Sequence, residues 1–163
     1  MEPLEEIEPR VKFGKLMGDV SRLLGSRLDR KLEKLGLFRG QAILLLILSE
    51  REGLTHSEIA GRLKISPAAA TKVIKRLEEL NYLQRQPDPA DERISRVFLK
   101  DEGRAVINQI RSIFRQNDRE LLSIFSLEEQ DRLVEQLQRM HAYLIQQTEP
   151  EISQANIKET HID

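Results

Sequence analysis

The stretch LTHSEIAGRLKISPAAATKVIKRLEEL, Leu54–Leu80, decides the fold. Its opening residues, Thr55-His56-Ser57-Glu58, have the form of a capping box. The threonine accepts from a first-turn amide, and the glutamate three residues on reaches back to the threonine amide. A short helix follows, with Ile59, Ala60 and Leu63 facing inwards. Lys64-Ile65-Ser66 forms a turn, and Ser66-Pro67 opens a second helix. Serine is a good N-cap, and proline at the first helical position lacks only an N–H that would have no partner there. Ala70, Val73, Ile74, Leu77 and Leu80 recur on one face of that helix. Asn81 ends it, because asparagine tolerates the left-handed conformation that helix termini often need.

Downstream the periodicity changes. Tyr82–Gln86 reads as a short strand, Pro87-Asp88-Pro89-Ala90-Asp91-Glu92 as turn chemistry, and Ser95–Leu99 as a second strand. Together they predict a β-hairpin with a polar, partly basic tip. Upstream, Arg39–Arg51 is apolar on nearly all sides at its centre, which predicts a buried helix ended by Gly53. Three helices followed by a hairpin is the order of a winged helix-turn-helix.

The flanks are helical and amphipathic. Val11, Leu16, Val20, Leu23, Leu24, Leu28, Leu32 and Leu35 step by threes and fours from about Arg10 to a stop at Gly36. A long helix from Asp101, read as its cap, carries Val106, Ile107, Ile110, Ile113, Phe114, Leu121 and Leu122 to about Phe125. Ser126-Leu127-Glu128-Glu129 is a second capping box, and Leu133, Leu137, Met140 and Leu144 stripe the last helix. The expected organisation is a flexible arm over 1–9, an N-terminal dimerisation helix over 10–36, a winged helix-turn-helix over 37–100, C-terminal dimerisation helices over 101–147 and a flexible tail over 148–163. The fold class is mainly α with a small β-hairpin wing. The outer apolar stripes exceed what the small winged core can cover, which predicts a homodimer.

Composition removes several classes of function. The chain has no cysteine, so a disulfide framework, a cysteine zinc site and a thiol redox sensor are excluded. Its longest apolar run, Ile43–Leu48, is far short of the roughly 20 residues that span a bilayer, so no membrane partner is expected. Met1 is followed by acidic residues rather than a signal-peptide pattern, and a cytoplasmic location is expected. His56, His141 and His161 are scattered without metal-ligand spacing, and there is no phosphate-binding or nucleophile-elbow motif. No enzyme activity, metal or cofactor is expected.

The net charge of −1 is unevenly distributed. Gly61–Lys100 holds nine basic side chains (Arg62, Lys64, Lys72, Lys75, Arg76, Arg85, Arg93, Arg96, Lys100) against five acidic ones (Glu78, Glu79, Asp88, Asp91, Glu92). A basic middle on an acidic body orients a polyanion towards one region. A major groove about 12 Å wide admits one helix, and the helix from Pro67 is the candidate. Its outer face offers Ala68, Ala69, Thr71, Lys72, Lys75 and Arg76, with Ser66 at its start. Small residues allow close approach, threonine can bond a base edge or phosphate, and the cations can neutralise phosphates or read guanine. Arg93 and Arg96 are the wing candidates.

Leu54–Ser66 resembles the second helix and turn of the MarR family of transcriptional regulators, and Ala70–Leu80 looks like its recognition helix. Pro87–Arg93 resembles its wing, where an Asp-x-Arg pattern is typical. Asn81 stands where that family usually has glycine, and Lys100 where threonine is common. The resemblance implies a homodimeric regulator that binds double-stranded DNA at a pseudo-palindromic operator. It implies a repressor released by a small-molecule effector, whose identity the sequence does not give. It further implies that Arg93 enters the minor groove or tracks its phosphates, that Asp91 holds the wing by pairing with a nearby arginine, and that the first and last two helices make the dimer. The competing reading is a winged helix used for protein–protein contact without duplex affinity.

Overall fold

The computed structural model describes the backbone of residues 7–158 and the side chains of residues 12–147. Residues 1–6 of the arm and 159–163 of the tail, His161 among them, lie outside that description, as do the side chains of 7–11, Val11 included, and of 148–158. Helix α1 spans Ile7–Leu32 and runs into a 3-10 turn at Glu33–Leu35, stopped at Gly36 with φ 68°. Then come α2 (Arg39–Glu50), β1 (Leu54–Thr55), α3 (His56–Leu63), α4 (Pro67–Glu79), β2 (Leu83–Pro87), β3 (Ser95–Leu99), α5 (Asp101–Leu122) and α6 (Leu127–Lys158). Two compact units result, one up to Asn117 and one from Asp118, so the division falls within α5.

The first unit holds the core. Leu44, Leu45 and Leu48 of α2 are fully buried in one cluster with Ile59 of α3, Ala70, Ile74 and Leu77 of α4, Val97 of β3 and Ile110 of α5. Leu28 and Leu32 bring the C-terminal end of α1 into the same cluster. Burial at 70, 74 and 77 is the i, i+4, i+7 pattern of one helix face, as the periodicity predicts. The N-terminal part of α1 instead leaves Phe13, Leu16, Met17, Val20 and Leu23 exposed. At the start of α2 the Gln41 side chain accepts from the Phe38 amide at 2.8 Å, while Phe38 has no side-chain acceptor to return the bond.

The hairpin belongs to a three-stranded antiparallel sheet of order β1-β3-β2. β2 and β3 pair from Leu83↔Leu99 to Pro87↔Ser95, and β1 pairs as Leu54↔Val97 and Thr55↔Arg96. The sequence reading has no β1, because two residues carry no readable period. Pro87 closes β2 rather than opening the turn, a place proline can hold because β2 is an edge strand. Asp101 is the first helical residue of α5, not its cap. The flanking position falls to Lys100, whose carbonyl accepts from Arg104 N at 3.0 Å. Asp101 then acts through its charge at the helix N-terminus.

In the second unit, Ser126 and Glu129 form the expected reciprocal box, Glu129 N to Ser126 Oγ at 3.3 Å and Ser126 N to Glu129 Oε2 at 2.8 Å. The backbone bond from Ser126, then that from its hydroxyl, hold the Glu129 carboxyl below its ordinary pKa. Gln130 Nε2 donates to the carbonyls of Leu122 and Phe125, closing the turn before α6.

Gly103 lies where α5 crosses the end of the hairpin. A Cβ there would overlap the Tyr82 carbonyl oxygen and lie 3.3 Å from Leu99 Cδ2. That carbonyl is also fixed by Lys100 N at 3.0 Å, so it cannot readily yield. Gly103→Ala is expected to lose about 1–3 kcal/mol of stability in urea unfolding. Gly25→Ala, whose new methyl meets only the flexible tip of Arg39, should leave the midpoint unchanged or raise it.

Candidate nucleic-acid interface

The helix-turn-helix is shaped by local bonds that the sequence encodes. Glu58 N donates to Thr55 Oγ1 at 3.3 Å and Thr55 N to Glu58 Oε2 at 2.8 Å, completing the box. The backbone bond from Thr55, then that from its hydroxyl, hold the Glu58 carboxyl below its ordinary pKa. At the turn, Ile65 N bonds Ala60 O at 3.1 Å and Lys64 N bonds Gly61 O at 3.2 Å, the pair of bonds of a Schellman motif. Lys64 takes the left-handed conformation this demands, with φ 53°. Asn81 does the same after α4, with φ 62°.

Helix α4 starts as predicted. Ala69 N donates to Ser66 Oγ at 3.2 Å, and Pro67 holds the first turn. Ala68, Thr71, Lys72, Lys75 and Arg76 are exposed on its outer face, whereas Ala69 is half-buried. Thr71 Oγ1 donates to the Pro67 carbonyl at 3.0 Å, which leaves its oxygen as an acceptor. Arg76 pairs with Glu79 at 3.0 Å. Among the described residues Lys72 and Lys75 have no acidic partner.

Two aspartates organise the wing. Asp91 receives the Arg93 side chain in a fork, Nε to Oδ1 and Nη2 to Oδ2, both at 2.9 Å, and its Oδ1 also accepts from Arg93 N at 3.0 Å. The resulting Arg93 side chain is 90% exposed at the tip. The Arg93 guanidinium lowers the Asp91 pKa, and the carboxylate raises that of Arg93. Asp91 thus holds an arginine, as the resemblance implies, and that arginine is Arg93 itself.

Asp88 is the residue the sequence reading missed. It is buried, and its Oδ1 accepts from Ala90 N at 2.7 Å and Asp91 N at 3.3 Å. Its Oδ2 accepts from Arg96 Nε, and Arg96 Nη1 donates to the Gly53 carbonyl at 2.8 Å. Arg96, a DNA-contact candidate in the sequence, is therefore only partly exposed, with two of its nitrogens engaged within the protein. The register contained a signal for this. Arg96 stands opposite Gln86, so Asp88, two residues on, is its diagonal neighbour across the hairpin.

A short antiparallel wing after a helix-turn-helix, with basic side chains on the second helix and an arginine at the wing tip, defines a winged helix-turn-helix protein. The MarR family model matches residues 37–95. The HTH-type transcriptional regulator PecS of Dickeya dadantii is 32% identical over 143 residues, 86% of either chain. Among solved structures, a Staphylococcus aureus MepR–DNA complex superposes with a TM-score of 0.73 at 25% identity, covering 80% of this chain and 97% of that one. A MarR transcriptional regulator from Methanosarcina mazei also gives 0.73 at 25% identity, covering 82% and 96%. The chain belongs to the MarR family, and it is a DNA-binding transcriptional regulator rather than an enzyme. No helix among the described residues is long and apolar enough to cross a membrane.

The backbone bond from Ala90, followed by the contact with Arg96, holds the Asp88 carboxyl below its ordinary value. A depressed folded pKa contributes stability that is complete above the unfolded value near 3.9 and is lost as pH falls through the folded one. Carboxyl NMR should therefore place both Asp88 and Asp91 below about 3.9. Asp88→Asn should flatten the acid limb of the stability profile; an unchanged limb would remove Asp88 from the wing's support.

Proposed function

We propose that the protein works as a homodimer on a pseudo-palindromic operator, as a repressor released by a small-molecule effector. Helix α4 enters the major groove and presents Ala68, Thr71, Lys72, Lys75 and Arg76, with Ser66 and Ala69 at its N-terminal edge. Arg93 reaches the flanking minor groove, where a guanidinium gains from the concentrated negative potential. The observation that carries this reading is the Arg93 side chain, fully projected yet clamped by Asp91. Such a group enters a groove without first having to be ordered. The DNA complex of MepR supports the same use of the fold, and it weighs against a wing reserved for protein contacts.

The dimer is supported by apolar surface in each unit. Phe13, Leu16, Met17, Val20 and Leu23 form one stripe on α1, and Val134, Leu137, Tyr143, Leu144 and Ile145 are exposed on α6. Monomeric proteins rarely leave contiguous apolar faces in water, and a second copy is the simplest cover. Two recognition helices about 34–36 Å apart then reach successive major grooves. Release by an effector requires that it bind one spacing of the two winged domains better than the other.

Selection from a random duplex library is expected to enrich a two-fold symmetric site whose affinity falls as a steep power of salt. Arg93→Ala should weaken that site about tenfold and reduce the salt slope by about one. If affinity and slope are both unmoved, the wing does not touch DNA. Separately, Leu16→Glu with Leu23→Glu should shift the protein to monomer in analytical ultracentrifugation, and a persistent dimer would exclude the α1 stripe from the interface.

A further inference from the structure

We infer that Arg96 is a positioning residue: the chain Arg93–Asp91–Asp88–Arg96–Gly53 latches the wing tip to the strand that precedes the helix-turn-helix. The inference rests on the reading of Arg93 as a minor-groove contact. Each link is a bond already described. Arg93 is forked onto Asp91. The Asp91 amide and the Ala90 amide are held by Asp88 Oδ1. Asp88 Oδ2 takes Arg96 Nε, and Arg96 Nη1 reaches the carbonyl of Gly53.

Gly53 is a stiff anchor. Its φ is 71°, and its amide donates to Val97 O at 2.9 Å. The next residues are β1, and Thr55 of β1 is the N-cap of α3. The latch therefore ends two residues before the helix-turn-helix begins. It also supplements a weak joint, because β1 meets β3 over only two residue pairs. Without Arg96, the loop from Asp88 to Ile94 would hang from the β2–β3 ladder alone.

Geometry separates this role from direct phosphate contact. Only 36% of the Arg96 side chain is exposed, against 90% for Arg93. Its fork bonds two acceptors in different directions, a carboxylate and a backbone carbonyl. A lysine keeps the charge but cannot reproduce the fork. A phosphate contact tolerates that exchange far better than a two-way latch does.

The test compares Arg96→Lys, Arg93→Ala and the double variant on the selected operator duplex. Arg96→Lys should weaken binding about tenfold alone and less than about twofold when Arg93 is already alanine, the non-additivity of residues acting through one contact. Hydroxyl-radical protection of the flanking minor grooves should fade while major-groove protection at the site centre persists, a split that general loss of stability does not produce. Asp88→Asn should reproduce both effects and add little to Arg96→Lys. Binding at wild-type strength by Arg96→Lys would overturn the latch. So would additive losses in the double variant, which would give Arg96 a contribution independent of the wing-tip arginine. If the wild type binds and Arg93→Ala has no effect, it is the minor-groove reading that fails. Amide exchange in the free protein then still decides the latch: faster exchange at Ala90 and Asp91 in Arg96→Lys supports it, and unchanged exchange overturns it.

Discussion

Strand β3 is the one strand of the sheet bonded on both sides, and this shared pairing makes one body of the wing and the helix-turn-helix. Val97 sits at its centre, opposite Leu54 of β1 and Arg85 of β2, with its side chain fully buried. From β1 the chain passes directly into the cap of α3, and from β2 it is joined back to α4 by the Arg85–Glu78 bond at 2.8 Å. The wing is therefore tied to both helices of the motif. The proposed reading of two adjacent grooves would need such a tie, because a loose wing would have to be ordered again at every encounter.

Helix α5 adds a second set of ties. Arg104 bonds Glu52 and reaches the Leu99 carbonyl at 3.5 Å, and Arg111 Nη2 donates to Ser49 Oγ at 3.0 Å. The bond with Glu52 raises the Arg104 pKa. The absence of a side chain at Gly103 lets α5 close on the Tyr82 carbonyl. The end of α2, the base of the wing and the first turns of α5 are thus one connected region. A change of α5 orientation would be felt at the wing, the physical requirement for any effector acting far from the DNA face.

Much of this was legible in the sequence because its signals are local. The box at Thr55 and Glu58, the Ser66-Pro67 start and the 70, 74, 77 stripe each depend on residues within a few positions of one another. What was not legible depends on the third dimension. β1 exists only because β3 lies beside it. Arg96 reads as one more cation in a basic stretch until the register brings Asp88 diagonal to it and the sheet brings Gly53 within reach. Ala69 reads as outer-face by spacing, yet it is half-buried.

Pairing also relocates the charge. The net excess of Gly61–Lys100 looks evenly spread in the sequence, but Arg76, Arg85, Arg93 and Arg96 each sit on a carboxylate, of Glu79, Glu78, Asp91 and Asp88. Lys100 is bonded to Asn81 at the base of the wing. Of the cations without an acidic partner among the described residues, Arg62, Lys64, Lys72 and Lys75 fall on α3, the turn and α4. The wing loop itself, with Asp88, Asp91, Glu92 and Arg93, is not a cationic patch. On the proposed function, counterion release would come chiefly from the helix-turn-helix, while the wing would contribute through a single guanidinium placed by its neighbours. For such a group geometry matters more than net charge, and that is why a wing rich in aspartate is compatible with a polyanionic partner.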